Sequence, residues 1–213
     1  MNAVVDSYAK LKLESEEIAH RLGYPINHDL PPLDPVTLRK NIDNVITRML
    51  ILNCVVAVAH GFSSSKAKDW LSRNELLDSI TDHEQALFNG RSDVDRREFM
   101  VQGESLWAFS WIIGKVEKIN FSSACDDGLV RLLPDLLKGE PPAAWMRGLQ
   151  LRQEADIIAA CDLSYRIHWA IRDAHLLGRK SPGQILPYVV IERRRALEWM
   201  LQESDWDSVI LDT

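Results

Sequence analysis

The sequence predicts an all-α protein, a single compact domain of about seven to nine helices with one helix buried at its centre. Apolar residues recur at helical spacing along most of the 213-residue chain. No segment shows the apolar–polar alternation of a half-buried β-strand. Glycine and proline separate the helical segments, as they do where helices end and begin.

The first two helices are predicted from their end signals. Helix 1 should cover about Val4 to Leu22 and stop at Gly23. The connector "GYPINHDLPPLDP" has four prolines in 13 residues, which favours a rigid extended segment. Asp34 can cap a helix that has proline at its first position, so helix 2 should run from Pro35 to about His60.

Three shorter segments follow. "SSSKAKDWLSRNE" predicts a short helix capped by one of its serines. "TDHEQALF" has Thr81 followed by Glu84 three residues later, which is a capping box, and Gly90 should end this helix. The pattern from about Asp93 to Val116 predicts another helix, with Gly103 inside it.

The last part of the chain predicts three more helices and a tail. A short helix should cover about Asp127 to Leu133 and end before Pro134. A long helix should cover about Ala143 to Leu177, and a final helix about Pro187 to Gln202. We therefore expect one domain over 1–213, with a helix and connector in 1–34 and a tail in 204–213.

Composition indicates a globular protein and argues against some partners. Hydrophobic residues make up 46% of the chain, charged residues 26%, and the net charge is −6. The acidic balance disfavours non-specific nucleic-acid binding. Three widely spaced cysteines predict neither disulfides nor a zinc site and favour a cytoplasmic protein. The apolar run Met49–Ala59 is too short for a membrane span of roughly 20 residues, so we expect a buried helix.

Motifs that carry common chemistry are missing from the sequence. There is no GxxxxGK[ST], GxGxxG, HExxH, GxSxG or paired CxxC. His168 and His175 share a helix but lie about 10 Å apart along its axis, which is too far for two ligands of one zinc ion. We therefore predict no cofactor, no metal and no assigned catalytic residue.

The stretch "DLSYRIHWAIRDAHL" (162–176) carries charges on a helix that is apolar on two sides. Two other helices, "GESLWAFSWIIG" and "VVIERRRALEWML", likewise combine acids or arginines with tryptophan. The simplest inference is one shared ionic network packed among tryptophans, formed by Glu104, Arg166, Asp173, Glu192 and Arg195 with Trp107, Trp111, Trp169 and Trp199. This cluster is either a structural ionic core or a ligand or catalytic pocket.

Five segments resemble one known family. They are "GYPINHDLPPLDPVTLRK", "GESLWAFSWIIGKVE", "DLSYRIHWAIRDAHL", "VVIERRRALEWML" and "WDSVILDT", in that order. Together they look like the bacterial domain of unknown function 4272 family. The resemblance implies a helical, mostly cytoplasmic protein with no established activity. It also implies a Trp-Arg pair before the helical glutamate, where this chain has Val101 and Gln102, so Glu104 should pair with Arg166 or Arg195 instead.

The resemblance and the acidic balance together favour an interaction protein. Relatives of this kind can lie beside toxin or secretion genes, type VI secretion among them, which suggests an immunity protein that neutralises a nuclease-type toxin. The candidate surface for that basic protein partner consists of Glu75, Asp78, Asp82, Glu84, Asp93, Asp95 and Glu98. Two alternatives remain: an enzyme or small-ligand binder that uses the Glu/Arg/Asp/Trp cluster, and an oligomeric scaffold.

Overall fold

The computed structural model describes residues 2–91 and 93–213, with side chains from residue 6 onwards. Within these residues the chain forms nine α-helices and no β-strand, so the all-α prediction is confirmed. The helices are α1 (Asn2–Arg21), α2 (Ile42–Ala59), α3 (Ser64–Arg73), α4 (Asp82–Phe88), α5 (Arg96–Met100), α6 (Gly103–Ile112), α7 (Pro142–Trp145), α8 (Glu154–Leu176) and α9 (Pro187–Leu201). Short 3₁₀ turns cover Leu77–Ser79, Asp127–Leu132 and Trp206–Ser208.

The helices pack as one domain around α8 and α9. Helix α8 contacts α1 on one side and α9 on the other, and α9 in turn packs against α6. One apolar cluster fills the space among these four helices. A second cluster lies between α2 and the shorter helices α3 to α5, and α2 also contacts α6. Both α8 and α9 are therefore packed from more than one direction, which buries their charged residues as well as their apolar ones.

Helix α2 begins later than the sequence predicts. It starts after Asn41 and not at Pro35, because Asn41 and Asn44 form a reciprocal capping box in which each side chain accepts from the other's backbone N–H. Helix α2 has the length and mean hydropathy that a membrane span would need, and 61% of it is buried inside the protein.

Residues 35–40 are not helical, since hydrogen bonds to distant parts of the chain use their backbone groups. The backbone N–H of Leu38 donates to Glu154 Oε1 at 2.8 Å. The N–H of Arg39 donates to the carbonyl of Met200 at 2.8 Å. These contacts hold the connector against α8 and the end of α9, and they replace the intrahelical bonds that a helix starting at Pro35 would make.

The segment predicted as one helix from Asp93 to Val116 is two helices. Helix α5 is capped by the Asp95 side chain, and a tight turn follows it. In this turn Gln102 N–H donates to the carbonyl of Phe99, and Glu104 N–H to that of Val101, both at three-residue spacing. The turn allows α5 to cover α2 while α6 packs against α9.

The long helix predicted from Ala143 is likewise interrupted. Its first turn is the separate α7, and α8 begins only at Glu154. Arg152 explains the break, because its backbone N–H donates to the carbonyl of Ile112 and its guanidinium donates to the carbonyls of Trp111 and Val116. These bonds satisfy the carbonyls of Trp111 and Ile112, which lie at the end of α6 and have no intrahelical partner, and that of Val116 in the segment that follows.

Candidate functional site

Glu104 is buried and pairs with an arginine that the sequence analysis did not single out. Arg193 Nη2 donates to Glu104 Oε2 at 2.6 Å, and Arg193 Nε donates to the same oxygen at 2.9 Å. The other carboxylate oxygen accepts from the backbone N–H of Cys125. The expectation that Glu104 pairs with Arg166 or Arg195 is therefore wrong, because Arg193 is the arginine of α9 that faces α6.

Arg166 lies elsewhere in the core and has its own acid. It forms a two-bond ion pair with Asp162, one turn earlier on α8, and also donates to the carbonyl of Pro31. Asp173 does not join the buried charges. It pairs with Arg179 at the surface, because it lies near the end of α8 and the chain turns back just after it.

Arg194 forms a third buried cluster, which the sequence analysis missed. It donates to Nδ1 of His168 at 2.7 Å, to Glu198 and to the backbone carbonyl of Asp212 in the tail. The accepting Nδ1 places the His168 proton on Nε2. Burial, helped by the charges of Arg194 and Arg172, lowers the pKa of His168 from its ordinary 6.5 to about 4.

A signal for these separate clusters is present in the sequence. Consecutive helical residues point about 100° apart, so Arg193, Arg194 and Arg195 within an apolar helix must face three directions. Each of these three arginine side chains then requires its own hydrogen-bond acceptor. The tryptophans are also dispersed: Trp111 packs under Arg152 at 4.8 Å, whereas Trp199 packs edge-on against Trp206. Trp107 and Trp169 are partly buried at the edge of the larger core cluster.

Glu192 and Arg195 do lie together, as the sequence analysis expected. Arg195 Nη1 is 3.3 Å from Glu192 Oε1. Ser105 Oγ lies 2.9 Å from Glu192 Oε2 and tethers this carboxylate to α6. Burial raises the pKa of Glu192, and nearby Glu104 adds to the rise, while Arg195 and the Ser105 hydrogen bond oppose it.

The acidic segment between Asn74 and Glu98 is only partly available to a partner. Glu84 is not a surface residue, because it is 1% exposed and accepts two hydrogen bonds from the buried Arg48. Asp93 and Asp95 are each bound to an arginine two residues away. Glu98 Oε2 lies 3.6 Å from His83 Nε2. Glu75 is exposed.

Asp78 and Asp82 of this segment face a groove of about 750 Å³ between α2, the turn before α4 and the tail. We call it the acidic groove. Its five carboxylates outnumber its two cations, Lys40 and Arg48, so its net charge is 2 − 5 = −3. The carboxylates are those of Asp43, Asp78, Asp82, Asp205 and Asp207.

Trp206 separates the acidic groove from a second pocket. Its ring lies near two guanidinium groups, with Arg48 Cζ 5.6 Å and Arg195 Cζ 5.9 Å from the ring centroid. The second pocket, about 500 Å³, lies between α5 and α9, and we call it the α5–α9 pocket. It brings together Glu98, Glu192 and Arg195, three residues that the sequence analysis named for two different sites.

A family model for a domain of unknown function, DUF4272, matches residues 11–209 of the chain. The chain belongs to the DUF4272 family. Comparisons with curated proteins and with solved structures give no significant match.

In this DUF4272 protein, several buried polar atoms beside the two cavities lack a hydrogen-bond partner among the described residues. Trp199 Nε1 and Arg48 Nε are such donors, and both residues line the acidic groove. Gln102 Oε1 is such an acceptor, and Gln102 lines the α5–α9 pocket. Buried polar groups normally have partners, and an unpartnered one lowers the stability of the folded protein. Within residues 2–91 and 93–213, no three His, Cys, Asp or Glu side chains form a group that could hold a metal ion.

Proposed function

We propose that this protein is a non-enzymatic, protein-binding protein whose acidic groove receives a basic segment of its partner. We further propose that it is a bacterial immunity protein and that the partner is a cognate, nuclease-type toxin that it neutralises in the cytoplasm. The observation that carries the proposal is the groove itself, a cavity of about 750 Å³ whose lining has a net charge of −3.

The charges of the groove fit lysine or arginine side chains. Asp78, Asp82 and Asp43 have no ion pair within 4.0 Å among the described residues, so their carboxylates are free to accept charge-assisted hydrogen bonds. Asp205 and Asp207 add two carboxylates from the opposite wall, the tail. Such a surface attracts a basic protein from a distance and accelerates its association.

The acidic lining of the groove fits the basic surface of a nucleic-acid-cleaving protein. The aspartates of the groove can accept hydrogen bonds from cationic side chains of such a partner. A nuclease suits this description, because the surface with which it binds phosphates is basic.

The groove is also preorganised by buried contacts beneath it. Arg48 Nη2 donates to both oxygens of Glu84 and so joins α2 to α4, and the Glu84 carboxylate also accepts from the N–H of Thr81 at the groove's edge. Trp206 packs over Arg48 and so holds the tail in place. A rigid site loses little conformational entropy when it binds a partner, which favours tight complexes.

The test is co-expression and pull-down with the product of the neighbouring gene, combined with a growth assay for protection from that product. The groove variant Asp78→Asn/Asp82→Asn should weaken the complex about tenfold or more and reduce protection. The matched control is Asp93→Asn/Asp95→Asn, which removes two carboxylates from the same segment outside the groove and should behave like the wild type.

Salt dependence gives a second measurement on the same complex. The association rate of the wild type should fall as the salt concentration rises, and the fall should be smaller for the groove variant than for the control variant. The proposal is wrong if no complex forms and cells are not protected, or if the groove and control variants weaken the complex equally.

A further inference from the structure

A third cavity lies between the end of α8 and the beginning of α9, and we call it the α8–α9 pocket. Its volume is about 240 Å³. It shares no lining residue with the acidic groove or with the α5–α9 pocket. An engineered protein cavity of about 150 Å³ holds a benzene molecule. The α8–α9 pocket therefore has room for an apolar body of that size with one polar group attached.

One part of the pocket wall is apolar. Ile171 of α8 lines it together with Pro187 and Ile191, which are four residues apart on α9 and so share a face of that helix. Ile171 is buried, whereas Pro187 and Ile191 are half-buried. A ligand with an apolar body would remove the remaining exposed surface of these side chains from water, which favours binding.

The charged groups of the pocket favour an anion. Its cations are Arg172 and Arg179, and no carboxylate lines it within the described part of the chain, although the whole chain has a net charge of −6. Arg179 is bound to Asp173. Arg172 is exposed and has no ion pair within 4.0 Å among the described residues. The guanidinium of Arg172 is therefore available to a negatively charged ligand.

His168 gives independent evidence for a ligand. It is 5% exposed and lines the pocket. Its Nδ1 accepts from Arg194, so the ring proton is on Nε2. The Nε2–H has no hydrogen-bond partner in the described part of the chain and is not sealed from solvent, so this N–H faces the pocket. A buried ring that keeps one donor free towards a cavity is suited to bind an acceptor.

The spacing of His168 and Arg172 suits a single carboxylate. The two residues are four apart on α8, which places their Cβ atoms about 5–6 Å from each other on one face of the helix. The charge of Arg172 helps to lower the pKa of His168, as expected for neighbouring groups. The two oxygens of one carboxylate can accept from both side chains at once. The apolar wall beside them disfavours an inorganic anion, which has no apolar surface to bury.

We propose that the α8–α9 pocket binds a small hydrophobic monocarboxylate with an apolar body of about the size of benzene. The carboxylate accepts hydrogen bonds from His168 Nε2–H and from the Arg172 guanidinium, and the apolar body packs against Ile171, Pro187 and Ile191. The binding is non-covalent. It is independent of the protein partner, since no residue of the acidic groove takes part.

The test is isothermal titration calorimetry of the full chain with benzoate. Benzamide keeps the ring and removes the charge, whereas acetate keeps the carboxylate and removes the ring. We expect one saturable site for benzoate with a Kd of about 1 mM or below, and binding of benzamide and acetate at least about tenfold weaker. No saturable site for benzoate, or equally tight binding of either control compound, would overturn the proposal.

A pair of exposed arginines locates the charge that binds. Arg172→Gln should weaken benzoate binding about tenfold, whereas Arg147→Gln, outside the pocket, should leave it unchanged. Both variants should keep the urea midpoint of the wild type, because both side chains are exposed. Asp78→Asn/Asp82→Asn should bind benzoate like the wild type, which separates this site from the acidic groove. Equal benzoate affinity of the Arg172 and Arg147 variants contradicts the proposal.

Nuclear magnetic resonance of the imidazole N–H groups tests the role of His168. Benzoate should shift the Nε2–H resonance of His168, which is identified by its absence from His168→Asn. The resonances of His60, which is exposed and lies outside the pocket, should not move. Saturation with benzoate without a shift at His168 would show that the carboxylate binds elsewhere.

Discussion

Arg193 Nη2 lies 2.6 Å from Glu104 Oε2, and this ion pair joins α9 to α6 across the centre of the protein. Arg193 is fully buried and Glu104 is 3% exposed, so water cannot replace either partner if the other is lost. Taking both charges of such a pair out of water is costly, and the loss of one partner leaves the other as an unpaired charge in the core.

Replacement of Arg193 by leucine should therefore lower the free energy of unfolding by about 3–5 kcal/mol, measured by urea denaturation. The double variant Glu104→Leu/Arg193→Leu should be less destabilised than the sum of its single variants, because it leaves no unpaired charge. Arg91→Leu, in the exposed Arg91–Asp93 pair, serves as the control and should leave the urea midpoint unchanged. Equal midpoints for the Arg193 and Arg91 variants would contradict this account.

Two exposed glycines with left-handed backbone provide a matched pair for steric packing. Gly183 has φ +78°, and a Cβ added there would overlap the ring of the buried Tyr24. Gly178 has φ +63° and open space around the same position. Gly178→Ala should lower the stability of the folded protein by about 1 kcal/mol from backbone strain alone. Gly183→Ala should lower it clearly more, as measured by thermal unfolding. The interpretation fails if both alanine variants melt at the same temperature.

His168 should make stability depend on pH. Its pKa is lowered to about 4 in the folded protein from an ordinary 6.5, so between these values the unfolded chain binds a proton that the folded protein does not. The contribution of neutral His168 to the free energy of unfolding is therefore fully present above pH 6.5, and it is lost as the pH falls towards 4. Urea midpoints at pH 7.5, 6 and 5 should show a steeper decrease for the wild type than for His168→Asn, whose side-chain oxygen can still accept from Arg194.

His175→Asn is the control for this measurement, because His175 is exposed on the same helix. It should retain the pH dependence of the wild type. A pH profile that is the same in all three proteins would show that protonation of His168 does not oppose folding.

The start of α2 can be tested by two single substitutions. Asn41→Ala removes the side chain that accepts from Asn44 N–H and should destabilise the protein by about 1 kcal/mol. Asp34→Ala removes the cap that the sequence predicts and should have no measurable effect on urea unfolding, because α2 does not begin there. A larger loss for Asp34→Ala than for Asn41→Ala would contradict the observed helix start.

Local signals predicted several elements of the fold well. The capping box of Thr81 and Glu84, the start of α9 at Pro187 and the end of α8 before Gly178 all lie where the sequence places them. Each signal acts within four residues, so its energy does not depend on the rest of the fold. The starts of α2 and α8 were wrong, because Met200, Glu154 and the end of α6 bind the segments in question from far along the chain.

The candidate sites were likewise predicted only in part from the sequence. Charge on three apolar helices indicated buried ion pairs, and the acidic segment indicated a negative surface, since both follow from composition and periodicity. The sequence could not show that Arg193 and not Arg195 faces Glu104, that Glu84 is buried beneath Arg48, or that Glu98 and Glu192 line one pocket. These pairings depend on how each helix is rotated against its neighbours.

The sequence by itself therefore determined the all-α class, the positions of most helix caps and the burial of several charges, because periodicity and capping are interactions between residues close in the chain. Only the tertiary structure decided which acid each arginine meets and how α2, the turn before α4 and the tail enclose the acidic groove. The physical reason is that these contacts join residues far apart in sequence, and their geometry is set by the packing of whole helices against one another.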